Sequence, residues 1–335
     1  MEISVAMCTY NGAGHIREQL ESIAAQSRPP DELVICDDNS GDGTREILRE
    51  FASASPLPVR LHFNPETLGS TKNFEKAIGL CAGDVIALSD QDDYWLPEKL
   101  ARVEEALSSA LDVGMVFSDA EIVDESLRPL GCRLWQYLKF ERGEQKSVRG
   151  GNAFDLLLAR NIVVGATMAF RSRFKELILP IPDEFDLRFD DGRILIHDGW
   201  LSLLITATAG VAVIDEPLIM YRQHPKQQVG AKSPPGAEAA DGGGLRAALT
   251  RQNFYSAEIG QLEAVRERLT AKVPAAVCAG AVSKLESKIA HLRARADMPG
   301  RRSRRLPRVL REVLTLRYHF YSNGVRSAAK DLFKR

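Results

Sequence analysis

The chain has 335 residues, 44% hydrophobic and 27% charged, an ordinary soluble globular mixture that suits one large domain plus an extension, or two small domains. Its net charge of -1 hides a division. Residues 245–335 hold 20 Lys/Arg and 7 Asp/Glu, a balance of +13, which leaves 24 basic and 38 acidic residues, a balance of -14, in 1–244. The longest weakly polar run, Leu201 to Ile214, is about 14 residues, short of the roughly 20 a membrane span needs. Five scattered cysteines (Cys8, Cys36, Cys81, Cys132, Cys278) with no CxxC spacing argue against a disulfide framework and for a reducing, cytoplasmic compartment. The opening MEISVAMCTYNG reads as a first strand, not a signal peptide.

Strands and helices alternate from the start. Ile3–Cys8 is a short apolar strand, and His15–Ala25 sets Ile16, Leu20, Ile23 and Ala24 on one helical face. Glu32–Cys36 is a second strand, Thr44–Phe51 a helix, Val59–Phe63 a third strand, Thr71–Leu80 a helix and Val85–Ser89 a fourth strand. Pro97 suits the first turn of a helix running to about Ala110. Gly114–Ser118 is a fifth strand. This alternation predicts a doubly wound α/β sheet with helices on both faces. Beyond residue 120 the pattern loosens. Gly165–Phe170, Val211–Ile214 and Leu218–Tyr221 read as extended segments and Asp198 to Thr208 as a helix. The predicted organisation is a catalytic domain over 1–230, a Gly/Ala/Pro-rich linker over 231–244, and a helical basic extension over 245–335.

Ligands of such sheets bind beyond the carboxyl ends of the strands. Three polar clusters fall there: Thr9-Tyr10-Asn11-Gly12, Asp37-Asp38-Asn39-Ser40 and Asp90-Gln91-Asp92-Asp93. The third carries the strongest signal. Three carboxylates within four positions repel one another, and a hard divalent cation held partly by substrate phosphates relieves this. The competing reading is a solvated turn that caps the following helix. For Asp37–Thr44 an N-cap and turn compete with a contact to a nucleobase or ribose, and both roles can coexist.

The ordered set CTYNG, DDNSGDGT, GSTKNF, SDQDDYW, GATMAF, HDGW and YRQHPKQQVG resembles family 2 glycosyltransferases, and within them the rhamnosyltransferase-like branch of bacterial surface-polysaccharide synthesis. The resemblance covers about residues 1–230. It implies a GT-A type fold with a mixed sheet, a nucleotide-diphosphate sugar donor (UDP- or dTDP-linked, with rhamnose as one candidate sugar), a glycan or lipid-linked acceptor, and Mg2+ or Mn2+ as cofactor. Carried over residue by residue, it implies that Cys8, Tyr10 and Asp38 line the nucleotide pocket. It puts Lys72 and Asn73 beside the nucleotide or donor sugar, Asp90 on the ribose side, and Asp92 and His224 on the metal. Asp198 takes the place of the catalytic carboxylate. The family more often has an acidic residue before that aspartate, where this chain has His197. Arg222 could pair with phosphate or with a surface acid.

The implied reaction is a single inverting displacement with a base at Asp198. Two other classes remain open: nucleotidyl transfer onto sugar phosphates, and a non-catalytic sugar-nucleotide binder. The tail from Arg301 onward holds 11 Lys/Arg and 2 Asp/Glu, with an apolar side at Val309, Leu310, Val313, Leu314 and Leu316. Such a segment either lies on an anionic membrane surface, placing the protein at the inner face of the cell membrane, or packs its apolar side on the catalytic domain. No aromatic-rich or zinc module accompanies the charge, so nucleic acid is not an expected partner.

Overall fold

A computed structural model of the chain describes residues 1–185, 187–188, 194–225, 227 and 245–333. The expected linker and the last residues of YRQHPKQQVG lie outside these. The strands are β1 Ile3–Thr9, β2 Glu32–Asp37, β3 Val59–Phe63, β4 Val85–Ser89, β5 Tyr94–Trp95, β6 Val113–Val123, β7 Pro129–Arg133, β8 Met168–Arg171, β9 Leu187–Arg188, β10 Ile194–Leu195 and β11 Gly210–Arg222. The helices are α1 Ile16–Ala24, α2 Thr44–Ala54, α3 Ser70–Leu80, α4 Lys99–Ser108, α5 Leu134–Tyr137, α6 Arg142–Ser147, α7 Ala153–Ala159, α8 Lys175–Ile178, α9 His197–Thr206, α10 Leu245–Lys272, α11 Ala275–Ala296, α12 Arg302–Leu314, α13 Arg317–Tyr321 and α14 Val325–Phe333. The chain divides into two compact units.

The first unit comprises residues 1–153, 162–181 and 196–238. It holds a nine-stranded mixed sheet in the order β3-β2-β1-β4-β8-β6-β11-β5, with β7 paired to β6. β1, β2, β3 and β4 are mutually parallel, while β8 runs antiparallel to both β4 and β6. Burial follows position in the sheet. Every residue of β1 is buried, which its apolar run ISVAMCT allows in a strand covered on both faces. β3, at the edge, has no buried residue. α1 turns Ile16, Leu20 and Ile23 onto the sheet, the face its spacing predicts.

Two differences from the sequence reading have clear causes. The segments 211–214 and 218–221 form one strand of 13 residues, β11. Its register shifts on either side of Pro217, because proline has no N–H to give the ladder. The acidic cluster is followed directly by β5, in which Tyr94 and Trp95 pair with Met220 and Ile219 of β11, so α4 begins only at Lys99. A two-residue strand leaves no periodicity to read.

The second unit comprises residues 154–161, 182–195 and 239–335. Its long helices α10 and α11 pack on each other. α12, α13 and α14 fold back beside α11 through a buried polar network: His291 Nδ1 lies 2.7 Å from Glu312 Oε2, Arg295 Nε donates to Asp331 at 2.7 Å, and the Tyr318 hydroxyl donates to Asp331 at 3.0 Å. No helix among the described residues is long and apolar enough to cross a membrane.

Candidate functional site

Since β1, β2 and β4 are adjacent and parallel, the three polar clusters that follow them meet at one edge of the sheet. They open a cleft of about 700 Å3 within the first unit. The loops after β1 and β2 are laced together. Asn11 N–H donates to Ser40 Oγ at 2.9 Å, Gly41 N–H to Asn11 Oδ1 at 2.8 Å, and Gly12 N–H to Thr44 Oγ1 at 2.9 Å. Asp37 serves this lacing. Fully buried, it accepts from Thr9 Oγ1, Ser40 and Arg45 Nε.

Asp38 faces the cleft. Its Oδ1 accepts from Leu68 N–H at 2.7 Å and Asn64 Nδ2 at 2.9 Å, and its Oδ2 from Gly69 N–H at 2.9 Å. The carboxylate thus anchors the start of α3 and presents an edge to the cavity. Asn73 also lines the cleft, but its amide donates to the Cys36 carbonyl at 2.8 Å and accepts from Asn64 at 3.0 Å. Lys72 is not among the lining residues. It bonds the Ile181 carbonyl and pairs with Glu75 at 3.1 Å. Cys8 lines the floor, where burial pushes its thiol pKa well up and keeps it protonated.

The acidic loop is held from both sides. Gln91 clamps the backbone of Tyr10, accepting its N–H at 2.7 Å and donating to its carbonyl at 3.0 Å. The Tyr10 ring stands exposed at the rim. A Cβ on Gly12 would fall 2.2 Å from Gln91 Oε1, so the clamp requires glycine there. On the other side stands Arg222, whose side chain is 2% exposed. Its Nε donates to the Asp92 carbonyl at 2.7 Å, its Nη1 to the Glu125 carbonyl and its Nη2 to Glu18 at 2.6 Å, while its backbone N–H meets Asp93 at 3.1 Å. The guanidinium is spent on fixing the loop.

His224 follows β11, and its Nε2 lies 2.8 Å from Asp92 Oδ2. The His15 ring is 4.8 Å from the His224 ring. Burial, then the charges of Arg222 and His224, hold His15 below the usual histidine pKa. Burial, then the charges of Asp92 and Asp198, raise Asp90 to about 7. Beneath the loop, Asp93 is raised further, by burial first, and its Oδ2 is buried with no hydrogen-bond partner. Buried Lys99 lies below. Its ammonium donates to the Ala166 carbonyl at 2.7 Å and sits 4.0 Å from the Trp95 ring centroid. Burial lowers its pKa to about 7, against the pull of Asp93 and Asp90.

Asp198 stands in the first turn of α9 and lines the same cleft. Trp200 behind it is fully buried and donates its indole N–H to the Ile178 carbonyl at 2.8 Å. His197 stacks on Phe74 with ring centroids 4.3 Å apart, and burial drives its pKa to about 3, so it is neutral.

Of the ten residues the sequence singled out, nine line this one cleft and Lys72 does not. The sequence reading missed His15, Gln91, Asp93 and Lys99. Gln91 and Asp93 lay in the motif and His15 closed TYNGAGH, but a lysine in a helix gives no sign of being buried. For a divalent cation, Asp92 and His224 supply one oxygen and one nitrogen. No group of three or more metal-binding side chains occurs among the described residues. Two protein donors suit a cation whose remaining ligands are phosphate oxygens and water.

Residues 4–156 match the family model described as glycosyl transferase family 2. An uncharacterized protein of Mycobacterium tuberculosis is 26% identical over 224 residues, 66% of this chain and 59% of that protein. The dTDP-rhamnosyl transferase RfbG of Shigella flexneri is 27% identical over 262 residues, covering 76% of this chain and 82% of that one. Among solved structures, S. aureus TarS 1–349 superposes with a TM-score of 0.54 at 16% identity, over 90% of this chain and 73% of that one. The mannosyltransferase PcManGT of Pyrobaculum calidifontis, in complex with GDP-Man and Mn2+, gives 0.51 at 20% identity, over 100% and 88%. The sheet is that of a GT-A type fold. Residues 4–156, a little under half of the chain, are thus similar to the family 2 glycosyltransferases. It spans 59% of the length of the mycobacterial relatives it matches.

Proposed function

We propose that the protein transfers a sugar from a nucleoside-diphosphate sugar to a hydroxyl of a growing glycan or lipid-linked acceptor, by a single inverting displacement within a catalytic domain spanning about 1–230. The observation that carries this reading is the meeting, in one cleft, of a carboxylate on a helix N-terminus (Asp198) with a separate carboxylate–imidazole pair (Asp92 and His224). Named relatives support a uridine or thymidine diphosphate donor. One is a dTDP-rhamnosyl transferase, and another is a UDP-Glc-dependent glucosyltransferase of Escherichia coli, 27% identical over 37% of this chain. Rhamnose is the sugar we favour.

In this reading Tyr10 stacks at the base, Asp38 accepts a base N–H on its Oδ2, Cys8 forms the floor, and Asp90 faces the ribose. Asn73 holds the Asp38 loop, Arg222 holds Asp92, and Lys72 holds the start of α3. Asp92 and His224 would hold Mg2+ or Mn2+, which when bound neutralises charge on the diphosphate. Asp198 accepts the proton of the acceptor hydroxyl as its oxygen bonds to the anomeric carbon. The bond from that carbon to the diphosphate breaks, and the electron pair leaves with the diphosphate. The helix N-terminus favours the ionised form of Asp198 that a base requires.

The test is a thermal-shift screen of nucleotide sugars with Mn2+ or Mg2+ present, followed by donor turnover with and without acceptor. The reading requires stabilisation by at least one donor and turnover that depends on the metal. Absence of both from a folded protein overturns it.

A further inference from the structure

The structure changes what the basic tail offers. Only two acids lie in residues 301–335, Glu312 and Asp331, and both point inward. Glu312 pairs with His291 and Arg317, and Asp331 with Arg295 and Tyr318. The outer surface of this region is therefore basic throughout. α12 shows how it is arranged. Arg305, Val309 and Glu312, at i, i+4 and i+7, are its buried residues and form the stripe that faces the rest of the second unit. Leu306, Leu310, Val313 and Leu314, at i, i+4, i+7 and i+8, form a second stripe, and all four are exposed, Leu314 at 82%. Leu316, between α12 and α13, and Phe320 of α13 are each more than half exposed. Arg304, Arg308 and Arg311, again at i, i+4 and i+7, make a third, exposed stripe.

Single exposed apolar residues are ordinary. Six within residues 306–320, beside a row of arginines with no acid among them, are not. We propose that the outer face of α12 and α13 is a docking surface for an anionic phospholipid bilayer. Leu306, Leu310, Val313, Leu314, Leu316 and Phe320 enter the headgroup–acyl boundary while Arg304, Arg308 and Arg311 meet lipid phosphates. Charge decides for lipid over a second copy of the chain, since two such faces would set arginine against arginine. This inference stands independently of the proposed transfer reaction. It would place the protein where a lipid-linked acceptor is found.

The test uses the full chain. Leu314→Trp introduces a reporter, because Trp95, Trp135 and Trp200 are all buried. Its emission should shift to the blue, and acrylamide quenching should fall, on vesicles of phosphatidylcholine with phosphatidylglycerol. Phosphatidylcholine alone should give a weak response. In co-sedimentation, Arg304→Gln/Arg311→Gln should weaken binding about 10- to 30-fold, from about 1 kcal/mol per basic residue near the surface. Leu310→Gln/Leu314→Gln should weaken it about 10-fold or more, and added salt should weaken it throughout. Circular dichroism verifies that each variant is folded. No emission shift on anionic vesicles overturns the proposal, as does equal binding by the folded variants. It is also overturned by dimerisation in solution that Leu310→Gln/Leu314→Gln abolishes, or by duplex DNA competing fully with anionic vesicles.

Discussion

His224 and Asp92 are 132 positions apart in sequence and 2.8 Å apart in space, Nε2 to Oδ2. The contact closes the acidic loop after β4 against the end of β11. The same two side chains would be the protein's donors to a divalent cation, so binding one would compete with this hydrogen bond. Asp92→Asn and His224→Ala should each lower Mn2+-dependent donor affinity by at least about 10-fold, the lower range seen even for supporting residues of metal sites, with thermal stability little changed. Titration of UDP in the presence and absence of Mn2+ measures this. Unaltered metal dependence in both variants would remove the pair from the site.

Asp198→Asn keeps the shape of the side chain and removes the proton acceptor. Turnover should fall about 10²- to 10⁴-fold, with donor affinity changed little. If the variant binds donor normally and turns over within a few-fold of wild type, the base lies elsewhere. His197 is then a poor substitute, because its ring is buried against Phe74.

The Gln91 clamp on Tyr10 depends on the missing side chain of Gly12. Gly12→Ala should displace Gln91 and remove its two hydrogen bonds, costing about 1–3 kcal/mol of stability. It should also weaken donor binding through the loosened Tyr10 loop. Gln91→Ala should cost a similar amount, and the double variant little more than either single one. Denaturant titration of the three proteins reads this directly, and strict additivity would disprove the coupling.

Asp90 is raised to about 7 in the folded protein, against about 3.9 for a free aspartate. A group with a raised folded pKa favours the fold fully below its unfolded value, and this contribution is lost as pH rises through the folded one. Without metal and in the presence of chelator, the melting temperature should therefore decline between pH 4 and pH 7. Asp90→Asn, which cannot ionise, should make that decline shallower, leaving the part that comes from Asp93. A parallel decline in the variant would assign it to other groups.

Much of the first unit was legible in the sequence, for a physical reason. β1, β2 and β4 are short apolar runs that each end in a polar cluster, and parallel strands bring such ends to one edge. The cleft needed no more than that alternation. What could not be read is the set of interactions that work across the sheet. Arg222 looked like a candidate phosphate ligand because a sequence does not reveal that a guanidinium is surrounded by Glu18, Glu125 and the Asp92 carbonyl. Lys72 sits in a recognisable segment, yet one turn of helix is enough to direct it to Ile181. Lys99 follows Pro97 and Glu98 in what reads as an ordinary solvated helix start, and only the structure shows it buried within the field of Asp93 and Asp90.

The order of strands bears on what counts as the smallest working piece of this protein. The region recognisable by family ends at residue 156, but β8 and β11 come later in the chain. β8 lies between β4 and β6, and β11 lies between β6 and β5. A fragment ending at 156 would leave β4 with a bare edge beside the acidic loop, an open template for pairing with other chains. It would also lack Asp198, Arg222 and His224. Residues 4–156 therefore hold only part of the cleft's lining, and gene fragments cut at 156 should aggregate rather than fold alone.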